Sequence, residues 1–172
     1  MKLKATIAGI IILVISVFAC GCNEPDFTKI IRIHIRANSN GGEDQSVKYY
    51  IKEEIVRFIT PLSEGISDKE QMYCVLEANL NEINELVAAK LNEKGFDYSA
   101  TAIMTREKFP ARYYGDIAFP SGEYDALIIT LGEGKGDNWW CVAFPPLCFV
   151  GAEDKGGDYF KYKSKIYELL NG

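Results

Sequence analysis

The densest run of unusual side chains is Asn138-Trp139-Trp140-Cys141-Val142-Ala143-Phe144-Pro145-Pro146-Leu147-Cys148-Phe149. Both tryptophans of the chain are adjacent in it. In a strand, neighbouring side chains point to opposite faces, so one indole belongs to a core and the other to a second covered face or a contact surface. Cys141 would be a nucleophile only as a thiolate, with a base at hydrogen-bond distance. The sole histidine, His34, is the imidazole available to it, and no third, orienting residue stands out. His34 falls on the polar side of its own strand, where a surface or rim residue is expected. A single histidine also excludes multi-histidine metal sites.

Three other clusters read more simply as structure. Gly132-Glu133-Gly134-Lys135-Gly136 lacks the Gly-Lys-Ser/Thr ending of a phosphate loop and precedes a strand, so a flexible hairpin loop is expected. Asn38, Asn40, Glu43 and Asp44 do not match the spacing of a calcium loop, whereas turn formation and helix capping explain them. Asp116, Glu123 and Asp125 could pair as glycosidase carboxylates, but they flank a tight turn where acids are commonplace. No metal and no cofactor are expected.

The elements that position these residues follow from periodicity. Ile31, Ile33 and Ile35 alternate with Arg32, His34 and Arg36, which predicts a half-buried strand, followed by a turn at Ala37–Gly42. From Asp44 or Ser46, helical spacing of Val47, Tyr50, Ile51, Ile55, Phe58 and Ile59 predicts a helix stopped by Pro61. Ser67 and Glu70 form a capping box for a second helix. Its stripe of Met72, Leu76, Leu80, Ile83, Val87 and Leu91 runs to a glycine cap at Gly95, and Cys74 reads as a small buried residue. Strands are predicted over Tyr98–Thr105, Gly115–Phe119, Tyr124–Leu131 and Trp139–Phe144, with Pro120-Ser121-Gly122 turning the second of these into the third. Tyr159–Leu170 reads as a short terminal helix. The expected fold is α+β, a mainly antiparallel sheet of about five strands with two helices packed on one face.

Composition sets the compartment and the partners. At 172 residues and 48% hydrophobic content the chain is globular, with material for one domain. Its net charge of −5 and lack of a basic block exclude nucleic acid and anionic membrane surfaces as partners. Lys2 and Lys4 precede an uncharged stretch from Ala5 to Ala19, the order of an export signal, and one short for a membrane span. Val17-Phe18-Ala19-Cys20 is similar to a lipoprotein junction, which would put lipid on Cys20. Residues 1–22 are thus an export signal or membrane anchor, 23–28 a linker and 29–172 a single domain working outside the cytoplasm. Of five cysteines, Cys20 and Cys22 lie at the junction, leaving three for the domain: one bridge plus one thiol, or none paired. Cys141 and Cys148 are the pair favoured by closeness. A straight strand would hold them about 23 Å apart, so a bridge requires a fold-back near Phe144–Pro146.

Three blocks resemble the stage II sporulation protein R family of endospore-forming bacteria. They are Ile31–Ser39 with Asp44, Gln45 and Lys48; Arg106–Asp116 continuing through Pro120, Gly122-Glu123-Tyr124 and Ala126-Leu127; and Gly132–Gly136 with Asn138–Cys141 and Phe144–Phe149. The resemblance implies a protein exported from the forespore into the space between forespore and mother cell. There it triggers a membrane-embedded aspartic protease that processes the mother-cell sigma-E precursor. It implies signalling, not catalysis, and supplies no catalytic residues. Asp137 stands where histidine is expected in many members, which weakens any histidine-based site beside Trp139. The partner-binding patch expected here comprises His34, Arg36, Asn138, Trp139 and Trp140 with the Gly132–Asp137 loop. The competing readings are an exported hydrolase using Cys141 and His34 on cell wall, and a lipoprotein that binds a small molecule.

Overall fold

The computed structural model describes residues 26–114 and 117–146. The export segment, Asp116, Cys148 and the expected terminal helix at Tyr159–Leu170 lie outside the described residues. Among the described residues, no helix is long and apolar enough to cross a membrane.

Strand β1 (Ile31–Arg36) leads into three helices, α1 (Gly42–Leu62), α2 (Lys69–Ala78) and α3 (Leu80–Glu93). Strands β2 (Ala100–Phe109), β3 (Arg112–Tyr114), β4 (Ile117–Phe119), β5 (Gly122–Leu131) and β6 (Asn138–Phe144) follow. The architecture is α+β, as expected, but with three helices, not two. The expected long second helix breaks at Asn79, whose side-chain amide donates to the Val75 carbonyl at 2.7 Å and so competes with continued helix. At the start of α2 the capping side chain is Asp68, which accepts from the Gln71 N–H at 2.8 Å, in place of Ser67. Gly95, at φ 80°, ends α3 as its type predicts.

The sheet corrects a second expectation. It is a mixed four-stranded sheet, ordered β2-β5-β1-β6, plus a separate two-stranded sheet, β3-β4. β1 runs parallel to β5 and antiparallel to β6. Period-two alternation tells which face a side chain takes, not which strand lies alongside. Pro120-Ser121-Gly122 accordingly does not close a hairpin between its neighbours: β4 pairs back with β3, and β5 pairs with β2 over its whole length.

Because β1 lies between β5 and β6, the Gly132–Asp137 segment must cross the end of β1. It is pinned there, not a flexible hairpin loop. Lys135 and Gly136 donate backbone N–H groups to the carbonyls of Asn38 and Ala37, and Glu133 and Asp137 donate to the side chains of Asn38 and Asn40. Gly136 passes so close that an added Cβ would lie 2.1 Å from the Ser39 carbonyl oxygen. Buried Lys48 ties the crossing to α1 by donating to the Asp137 carbonyl at 3.0 Å.

Two apolar clusters result. The first joins Ile31, Ile33 and Ile35 of β1 with Leu127, Ile129 and Leu131 of β5 and the stripes of α1, α2 and α3. The second joins Phe109, Tyr124, Ala126, Ile128 and Val142 with Ile117 and Phe119 of the β3–β4 hairpin. β1 is therefore buried on both faces, where a half-buried strand was expected. Cys74, expected inside, is exposed.

Candidate functional site

The polar residues of β1 project into the second cluster, not into water. Arg32 is 0% exposed and His34 5% exposed, which corrects the reading of His34 as a rim residue. By register, Phe109 and Glu107 pair with Gly122 and Tyr124, short of the Asp125–Ile31 match. They nevertheless touch Arg32, His34 and Arg36, so the far end of the long β2–β5 ribbon curls over β1.

Arg32 is enclosed by aromatic rings. Its guanidinium carbon lies 4.7 Å from the Phe109 ring centre, 5.2 Å from that of Tyr124 and 5.4 Å from that of Phe119. Nε donates to the Cys141 carbonyl at 3.1 Å and Nη2 to the Tyr114 hydroxyl at 3.2 Å, while Nη1 has no hydrogen-bond partner among the described residues. Tyr114 in turn donates to the Trp140 carbonyl at 3.0 Å. Loss of hydration holds Arg32 below its usual pKa, and the like charge of Arg112 pushes the same way. Burial also raises Tyr114, against the lowering effect of Arg32.

Beside it runs an unbroken chain of contacts. Arg112 places its guanidinium 4.1 Å from the Trp140 ring centre, and Trp140 stacks on His34 with centroids 5.4 Å apart. His34 Nδ1 lies 2.9 Å from Glu107 Oε2, and the other oxygen of Glu107 accepts from Arg36. His34 Nε2 is buried without a hydrogen-bond partner among the described residues.

The structure brings some expected site residues together and separates others. His34, Arg36 and Trp140 share this assembly. Trp139 packs against the first cluster, with Lys52 Nζ 5.9 Å from its ring centre, and Asn138 is exposed opposite Arg36. Cys141 pairs with Ile33 and His34 with Trp140, so the Cys141 and His34 side chains leave opposite faces and do not form a nucleophile–base pair. Asp125 is ion-paired with Lys69, and Glu123 sits opposite Lys108. The expected patch left out Arg32, Glu107, Arg112 and Tyr114, although the last three lie in the Arg106–Asp116 block that carries the family resemblance. The signal available for Arg32 was its place between two apolar residues in a strand that the turn and crossover make central.

Near the calcium-like residues, Asp44 Oδ2 accepts from Asn38 at 2.9 Å and Ser39 at 2.6 Å, and Oδ1 from Tyr98 at 2.9 Å. Burial alone would raise the Asp44 carboxyl, but these bonds outweigh it and hold it below the usual range. No group of three acidic, histidine or cysteine residues able to hold a metal occurs among the described residues. A cleft of about 670 Å³ beside Asp44 is lined by polar Glu43, Ser46, Lys94 and Asp97 as well as Tyr50 and Phe96.

What fold and site define is an α+β domain whose sheet carries helices' apolar stripes on one cluster and a basic, aromatic assembly on the other. Residues 27–154 match the family described as Stage II sporulation protein R (spore_II_R), and the chain belongs to that family. It is similar to the stage II sporulation protein R of Bacillus subtilis (strain 168), with 38% identity over 120 residues, 70% of this chain. The match spans 54% of that relative, about half its length. No solved structure matches.

Proposed function

We propose that this is an exported signalling protein of sporulation, which leaves the forespore and switches on, by binding, a membrane-embedded aspartic protease that processes the sigma-E precursor. The observation that carries this reading is the family match across residues 27–154, which takes in nearly every described residue. The split of Cys141 from His34 across the sheet supports contact over hydrolysis, because the thiol–imidazole chemistry has no shared face. The basic start and uncharged Ala5–Ala19 stretch support export, with Cys20 as a lipid site if anchoring follows. The oxidising space outside the cytoplasm suits a Cys141–Cys148 bridge, and Cys74 is the free cysteine among the described residues.

Activation by binding requires preference for the active state of the protease, since equal affinity for both states shifts nothing. The test is reconstitution in a non-sporulating host carrying the protease and its sigma precursor. Precursor processing that depends on this protein is the expected result; processing that is unchanged without it overturns the proposal. Mass spectrometry of the exported product decides between cleavage, lipid on Cys20 and retention. Thiol labelling of the same product is expected to leave Cys141 and Cys148 untouched while tagging Cys74.

A further inference from the structure

The chain is acidic, yet one side of its sheet collects positive charge. Of Arg32, Arg36 and Arg112, Arg36 alone meets a carboxylate among the described residues, that of Glu107, which it shares with His34. Arg112 has no ion pair among the described residues and rests on Trp140 instead. Arg32 keeps a buried Nη1, and His34 a buried Nε2, that have no hydrogen-bond partner among the described residues. A charge taken out of water is strongly unfavourable unless something opposite in sign approaches it. Buried charge is also screened less than exposed charge, so Arg32 adds to the positive field above it.

The geometry gives that field a shape. Arg112, Trp140, His34, Glu107 and Arg36 form one continuous line of contacts, with a guanidinium at each end. The side chain of Arg36 is 33% exposed, and Arg112 and Trp140 are half-buried, so both ends and the indole are reachable. Guanidinium forks match carboxylates in a planar, two-bonded geometry, and aromatic and arginine side chains are the usual anchors of protein contacts.

We propose that this face is a carboxylate-binding surface that takes an acidic peptide segment of a protein partner, with Arg36 and Arg112 as charged anchors and Trp140 as the apolar contact between them. This rests on the reading of the protein as a contact signal and names the chemistry of the contact. An acidic peptide is the occupant because the surplus charge is small: Glu107 is shared by Arg36 and His34, and Arg112 has no carboxylate among the described residues. A membrane or nucleic-acid surface would call for a broad basic patch, which an acidic chain does not supply.

The test uses the purified exported chain carrying Trp139→Phe, so that Trp140 alone reports. Titration with a short polyglutamate peptide is expected to change its fluorescence saturably, and added salt to weaken the effect. Arg36→Gln and Arg112→Gln should each weaken binding about tenfold, the scale of losing one interfacial charge pair. Polyglutamine should produce no change. Equal binding by polyglutamine, or unchanged affinity in both arginine variants, overturns the proposal. So does displacement of the peptide by phosphatidylcholine vesicles containing phosphatidylserine, or by inorganic phosphate at equal charge. Should Arg112→Gln fail to fold, Arg36→Gln decides alone, because that side chain is already partly in solvent. The same variants then enter the reconstituted host. Loss of peptide binding with full precursor processing overturns this surface and leaves the signalling role standing. Loss of both supports the surface. If the wild-type chain drives no processing, the signalling role fails, and the fluorescence titration still judges the carboxylate site.

Discussion

The two sides of the central strand differ in kind. On one, Ile31, Ile33 and Ile35 meet the apolar stripes of three helices. On the other, Arg32 and His34 are nearly as buried but sit among aromatic rings, each with a polar atom that has no partner among the described residues. Apolar burial stabilises at about 25 cal/mol per Å², whereas a desolvated guanidinium subtracts from that gain. The first face accounts for folding. The second combines its burial with a desolvated charge, a cost that the binding role proposed above would explain.

The sharpest way to break this contrast is to compare neighbours on β1. Ile33→Ala should lose about 4 kcal/mol, the range for a fully buried aliphatic residue, measured by urea unfolding. A loss near zero would mean that the helix-covered side does not carry the fold. Next, Gly136→Ala should cost about 3 kcal/mol, since its Cβ would collide with the Ser39 backbone at the crossing. Gly42→Ala, with nothing within 4 Å, is the neutral control. Third, Arg32→Met should leave stability unchanged or raise it by about 1–2 kcal/mol, because a buried charge is exchanged for an apolar chain of similar length. The same change should reduce precursor processing. A strongly destabilised Arg32→Met would make the second face structural after all.

The smallest effect is expected at low pH and lies off both faces. Asp44 is held below its unfolded pKa by Ser39, Asn38 and Tyr98, so it binds its proton less readily when folded. Its stabilising contribution is therefore present above the unfolded carboxyl pKa and is lost as pH falls through the lower folded value. Asp44→Asn should flatten that acid-side loss in thermal melts taken at successive pH values. An unaltered slope would place the acid sensitivity at other carboxylates.

Local chemistry made much of this readable in advance. Alternation located β1, β5 and β6, and the helical stripes located the residues that cover Ile33 and Ile35. Adjacent tryptophans on opposite faces followed from strand geometry alone, and Trp139 and Trp140 do divide between the two clusters. Neighbour choice did not follow, because the same alternation is compatible with β1 at an edge or at the centre. That one ambiguity misplaced His34 at the rim and hid Arg32 altogether. The curl of β2 over β1 was equally unreadable, so Glu107 was not seen as the partner of His34 and Arg36. Arg112 was not joined to the Trp140 patch because their contact links strands of two different sheets.

The position of β1 also orders events in time. A ribosome makes this strand first, but its two hydrogen-bonded neighbours belong to the last third of the described chain. Arg32 waits for a carbonyl 109 residues downstream. Such long-range closure is slow and leaves strand edges open during synthesis. β1 gains its first sheet neighbour only once β5 has been made, and its second only with β6.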